Sequence, residues 1–139
     1  SAEEAALPDQ WLKFIFDDPS PARGIELLAP NSQTCFDGIP MGGDAVQRFL
    51  IILPTLFVTL EFTIEQHTQI LSCHLIAWSS VRKCTAIAHD AVAGSTLSIC
   101  GITAFQTHQQ KISRISEYSD AALRYPHYRE LLSDIANGS

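Results

Sequence analysis

Glu117 sits in the run KISRISEYS, residues 111–119, where apolar and polar residues alternate. Alternation with period two sends successive side chains to opposite faces of a strand. Ile115, Glu117 and Ser119 therefore share one face, as do Gly101, Thr103 and Phe105 in the run before it. If those faces line a cavity, Glu117 is a carboxylate held between apolar walls. Desolvation raises the pKa of such a group, which can then exchange protons near neutrality. The competing reading is an ordinary strand carboxylate, solvated or paired with Arg82 or Arg114.

Other residues could share that chemistry. Asp37 precedes Gly38 and is either a second acid–base group or a turn aspartate bonded to its own backbone. Asp120 closes the last strand and is either catalytic or a helix cap. His74 lies on a strand face with Ile76 and Trp78, where an imidazole orients or polarises a substrate oxygen or belongs to the core. Trp78, Phe105, Tyr118 and Thr103 are the expected walls of a substrate cavity. Glu61 joins them if the polar face of its strand turns inward. His89 and Asp90 form a loop pair at the expected mouth, and Tyr125 and Tyr128 are lid residues or a dimer contact. No metal is expected, because His74, His89 and His108 lack ligand spacing and cysteine partners. No nucleophile motif, phosphate loop or dinucleotide fingerprint is present, and no cofactor is expected.

Positioning these groups requires helices and strands in a particular order. Asp9 caps a predicted helix whose stripe is Trp11, Leu12, Ile15 and Phe16, after a frayed start at Ser1–Ala6. A short helix follows from about Pro21 to Leu28, then a strand at Gln33–Phe36 and a glycine-rich turn. A third helix covers Asp44 to about Leu53. The pattern then changes to strands: Phe57–Gln66, with Val58, Leu60, Phe62 and Ile64 on one face, then Ile70–Ser80, Thr96–Thr107 and Lys111–Ser119. The stretch from Thr85 to Ser95 reads as a strand extension or a loop over the mouth. Residues 121–136 carry Tyr125, Tyr128, Leu131, Leu132 and Ile135 at helical spacing, a C-terminal helical tail. Helices first and a largely antiparallel meander after them specify an α+β domain. A curved sheet with helices in its concave side buries both.

Composition narrows the partners. The 139 residues form one expected domain, 46% hydrophobic and 17% charged, with a formal net charge of −6. That charge opposes nucleic acid or an anionic membrane as partner. The apolar run Phe49–Leu60 is too short to span a bilayer and contains Pro54. Cys35, Cys73, Cys84 and Cys100 form no C-x-x-C pair and are expected as free, buried thiols. With no signal peptide in view, a cytoplasmic setting is expected.

The element order resembles the NTF2-like superfamily, the cone-shaped α+β barrel fold of SnoaL-like cyclases, ketosteroid isomerase and scytalone dehydratase. CFDGIPMGGDAVQRFL (residues 35–50) looks like its strand, glycine turn and third helix. GITAFQTHQQKISRISEYSD (residues 101–120) looks like its final hairpin, and the likeness covers most of residues 8–120. The resemblance implies a homodimer packed through convex sheet faces and a small hydrophobic substrate. It implies cofactor-free isomerisation, cyclisation or dehydration. The tail looks most like fungal enzymes that rearrange meroterpenoid or polyketide intermediates. The ketosteroid isomerase base matches Asp37, whereas its oxyanion aspartate falls near Gly101, which has no side chain. The SnoaL-like catalytic aspartate falls at Glu117 or Asp120, and of the paired histidines of scytalone dehydratase only His74 lies clearly on a strand. The reading is therefore an acid–base isomerase or cyclase acting on a terpenoid or polyketide-derived intermediate. Its alternatives are a pericyclase or dehydratase using the same pocket, and a non-catalytic dimeric binding module.

Overall fold

Helix α1 (Ala2–Leu12) starts in Ala-Glu-Glu-Ala-Ala, good helix formers with two acids in the first turn. This computed structural model describes residues 2–85, 94–125 and 127–138. The expected frayed start is thus helical, and Asp9 lies inside the helix rather than capping it. A π-helical turn (Lys13–Asp17) follows. Its wider turn places Ile15 and Phe16 inward beside Trp11 and Leu12, and all four are buried.

Helix α2 (Pro21–Glu26) leads into β1 (Leu28–Phe36) and β2 (Ile39–Met41). Asp37 and Gly38, both at positive φ (50° and 84°), form the two-residue turn between them. Asp-Gly is a favoured sequence there because both positions need the left-handed region. Helix α3 (Gly43–Leu56) buries Val46, Phe49, Leu50 and Leu53 as the spacing predicted. Strands β3 (Phe57–Ile70), β4 (Cys73–Cys84), β5 (Thr96–His108) and β6 (Lys111–Ser119) follow. Helices α4 (Ala121–Arg124) and α5 (Tyr128–Asn137) close the described chain, so the expected tail is two helices. The His89–Asp90 pair lies outside the described residues.

The strand order is β2-β1-β6-β5-β4-β3, a curved sheet with helices against its concave face. It is mixed, because β1 runs parallel to β6, and it stays open between β2 and β3 rather than closing as a barrel. Register sets the rows of inward side chains. His74, Phe105 and Ile115 form one row; Ile76, Thr103, Glu117 and Phe36 form the next; Trp78, Gly101 and Ser119 form a third.

Strand β3 departs from simple alternation. Its pairing slips between Thr59 and Glu61 and again between Ile64 and Gln66. An extra residue at a bulge inverts the faces beyond it. Val58 and Leu60 are consequently exposed on the outer face, while Phe62 and Ile64 pack against the core. They do not share one face with them, contrary to the period-two reading. The cysteines are free, but only Cys84 is buried; Cys73 and Cys100 are exposed on the outer face. Among the described residues no helix is long and apolar enough to cross a membrane.

Candidate active site

The row built from β4, β5, β6 and β1 brings Glu117 against Thr103, its partner across the hairpin, and Phe36 on the other side. The alternation that made Glu117 legible in the sequence thus points it inward, where it is only 4% exposed. The Trp78 indole N–H donates to Thr103 Oγ1 (2.9 Å), and the Thr103 hydroxyl in turn donates to Glu117 Oε1 (3.2 Å). This chain of donors fixes one carboxylate oxygen.

Gly101 explains how the indole reaches that position. A Cβ on Gly101 would lie 2.2 Å from Cζ2 of Trp78, so the ring occupies the space a side chain would need. Where the family resemblance puts an oxyanion aspartate, this chain has an indole lying on bare backbone.

Two buried groups complete the surroundings of Glu117. Arg82, on β4, donates from Nε to Ser80 Oγ (3.2 Å), and its guanidinium lies 4.5 Å from the Phe16 ring and 5.8 Å from those of Phe57 and Trp78. Such cation–π contacts partly replace lost hydration. Tyr128, on α5, is buried beside Tyr125, whose ring meets Phe57 edge-on. Both tyrosines are therefore interior residues and not an exposed dimer contact.

Electrostatics follow from burial. Desolvation pushes Glu117 up to about 7, the Arg82 charge opposes this, Asp37 adds to it, and the Thr103 hydrogen bond opposes it. Burial, reinforced by the Glu117 charge, raises the Tyr128 phenol, so it stays a neutral hydroxyl. Burial also lowers Arg82 from its ordinary value, against the charges of Glu117 and Asp120, yet a guanidinium remains cationic.

The other candidates are placed elsewhere. Asp37 is buried and close enough to raise Glu117, but its carboxylate accepts the Ser119 N–H (2.7 Å) and hydroxyl (3.3 Å). Its backbone oxygen takes a hydrogen bond from Arg129. It ties the β1–β2 turn to the end of β6 and to α5, and desolvation raises its pKa. Asp120 precedes α4 without capping it; its carboxylate accepts the Cys100 N–H (2.9 Å) and lies 3.8 Å from Arg124. Phe105 is buried on the inner face one row from Thr103. Tyr118 and Glu61 are exposed on the outer face, turned away from Glu117.

His74 belongs to a different cluster. Its Nδ1 lies 2.9 Å from Nε2 of His67, whose Nδ1 is 3.4 Å from Asp9 Oδ1. Burial, then the neighbouring His67, lowers the His74 pKa. No group of three metal-ligating side chains occurs among the described residues. The sequence offers Arg82 only as a pairing partner of Glu117 and Tyr128 only as a lid residue or dimer contact; the Trp78, Ser80, Arg82, Cys84 alternation is the signal that turns Arg82 inward.

A cavity of about 290 Å³ opens between the π-helical turn, the end of α3 and β3, walled by Ile15, Phe16, Leu53 and Phe57, with Arg82 reaching it. Glu117 is not in the wall of this or the other described cavities.

A scan against protein-family models finds no match, and a search of curated proteins finds none. Solved structures do match. AclR from Streptomyces galilaeus, provisionally named a hydroxylase, superposes with a TM-score of 0.76 at 10% identity, over 96% of this chain and 82% of its own. A protein from Shewanella putrefaciens CN-32, provisionally named a SnoaL-like polyketide cyclase, gives 0.72 at 12% identity, over 92% of this chain and 97% of its own. The fold is that of the NTF2-like superfamily. An LEH-like epoxide hydrolase from M. tuberculosis has this NTF2-like fold too, with a TM-score of 0.68 at 11% identity, over 100% and 98% of the two chains.

Proposed function

We propose that this chain is a metal-free and cofactor-free isomerase or cyclase, in which Glu117 moves a proton on a small hydrophobic substrate. One observation carries the reading: Glu117 is a buried carboxylate with a pKa of about 7, fixed by Thr103 and Trp78 beside a buried cation and a neutral phenol. A base poised near the working pH exchanges protons in both directions, as a shift of a double bond or a ring closure requires. Tyr128 supplies a hydroxyl that can donate to a developing oxyanion. The provisional name of one neighbour, SnoaL-like polyketide cyclase, agrees with that class of reaction. A terpenoid or polyketide-derived intermediate suits the apolar walls of Phe16, Phe57 and Leu53. The protein is proposed to act as a homodimer.

An enolisable bicyclic ketone, 2-tetralone, tests the acid–base assignment without knowledge of the natural substrate. Proton NMR in D2O follows exchange of its α-hydrogens. The wild type is expected to accelerate exchange, and Glu117→Gln to lower the rate at least about 100-fold toward that of buffer. Equal acceleration by both proteins rejects Glu117 as the base.

One observation favours a second reading, a ligand-binding module without turnover: Glu117 is absent from the walls of the described cavities. That reading requires no acceleration by the wild type while the ketone still binds.

A further inference from the structure

Arg82 is only 3% exposed, yet its guanidinium carries more donors than the described residues satisfy. Nε is used by Ser80, and neither Nη atom makes a hydrogen bond to any of the described residues. No carboxylate of the described residues comes within 4.0 Å of it. Three aromatic rings stand around the cation, but they offer π faces and no lone pairs. A buried charge without a hydrogen-bonded counter-ion is costly, and a guanidinium presents a planar fork matched to two oxygens. Arg82 lines the 290 Å³ cavity, whose other walls are Ile15, Phe16, Leu53, Pro54 and Phe57, with Asp17 exposed at the rim. The volume is close to the roughly 300 Å³ lower limit of small-molecule pockets.

We propose that Arg82 is an anion receptor at the floor of this cavity. Its ligand is an apolar, one- or two-ring compound bearing a carboxylate or an enolate oxygen that takes the free Nη donors. The inference deepens the isomerase or cyclase reading by naming the substrate class, and rests on that reading only in treating the ligand as a substrate. The rings of Phe16 and Phe57 cover the apolar body of the ligand. Its anionic oxygen completes the neutralisation that the aromatic faces only begin. Glu117 competes for the same cation when ionised, so the ligand and the Glu117 proton are coupled: anion binding favours the protonated carboxyl. The Asp17 carboxylate repels an anion only weakly from the solvated rim.

Isothermal titration calorimetry with 2-naphthoate and its neutral analogue 2-naphthamide decides the question. The wild type is expected to bind naphthoate at least tenfold more tightly than naphthamide. Arg82→Met should erase this preference and retain naphthamide binding, which also certifies that its cavity has formed. Equal affinities for the two probes in the wild type, or a preference that survives in Arg82→Met, overturn the proposal. Should that variant fail to fold, Arg82→Lys decides, since losing the planar fork must shrink the naphthoate advantage and an unchanged advantage rejects the receptor. Glu117→Gln separates this inference from the catalytic one. Naphthoate binding that is kept or strengthened supports the receptor whether or not 2-tetralone exchange is lost. A Glu117-dependent exchange accompanied by equal naphthoate and naphthamide affinities sinks the receptor alone.

Discussion

Glu117 is a buried carboxylate that accepts from Thr103 and feels the charge of Arg82. Burial of that carboxylate has a stability consequence with a definite sign. Its folded pKa of about 7 exceeds the ordinary 4.5, so the folded state holds the proton more tightly. The stabilisation it gives relative to the ionised form is complete below about 4.5 and is lost as pH rises through 7. Thermal melts should therefore show Glu117→Gln stabilised relative to wild type by about 3 kcal/mol at pH 8, and by little at pH 4.5. A constant difference across that range would contradict the assignment. His74 carries the opposite sign. Burial lowers its pKa below the ordinary 6.5, so its neutral form stabilises the fold above that value and the contribution disappears as pH falls. Replacing it by Phe should flatten the decline in Tm between pH 6.5 and 5, whereas an unaltered slope places the acid sensitivity elsewhere.

At the scale of elements, helix α3 and strand β5 follow the sequence pattern closely because each buries one regular stripe. Strand β3 does not, because a bulge is a local change of count that leaves residue types unaltered, and Val58 and Leu60 look as apolar as Phe62. Glu117 was legible from period-two spacing, as β5 was, whereas Arg82 and Tyr128 reach it only through tertiary packing. The close packing of β4 against β5 makes its own prediction. Gly101→Ala drives a methyl into the Trp78 ring and should cost about 3 kcal/mol in a denaturant titration. Adding Trp78→Leu should recover part of that loss, and strictly additive effects would show that the two residues do not meet. The β5–β6 turn places Gln109 and Gln110 at φ of 50° and 63°, a conformation in which Gly is unstrained. Gln110→Gly is expected to stabilise the hairpin by about 0.5–1 kcal/mol, the strain relieved exceeding the added freedom of the unfolded chain. A lowered Tm would mean that the turn is not strained.

Over the whole molecule, the helices cover one side of the sheet and leave several large apolar side chains exposed on the other. Leu60, Leu75, Ile102 and Tyr118 are each about half exposed on that outer face, at 57%, 49%, 48% and 57%. Exposed apolar side chains of this kind mark an interaction site, and a second copy is the occupant that the proposed homodimer supplies. Sedimentation velocity should give a dimer for the wild type and a monomer for Ile102→Glu; a monomeric wild type rejects the proposal. The indole that lies on Gly101 carries one more consequence. Trp78 and Trp11 are the only tryptophans, and both are almost wholly buried. With Trp11 replaced by Phe, the chain's ultraviolet emission would come from one ring, 5.8 Å from a cation and bonded to the threonine that holds Glu117. The molecule thus contains its own optical reporter, whose brightness and colour should change when the Glu117 proton leaves or Arg82 gains a counter-ion.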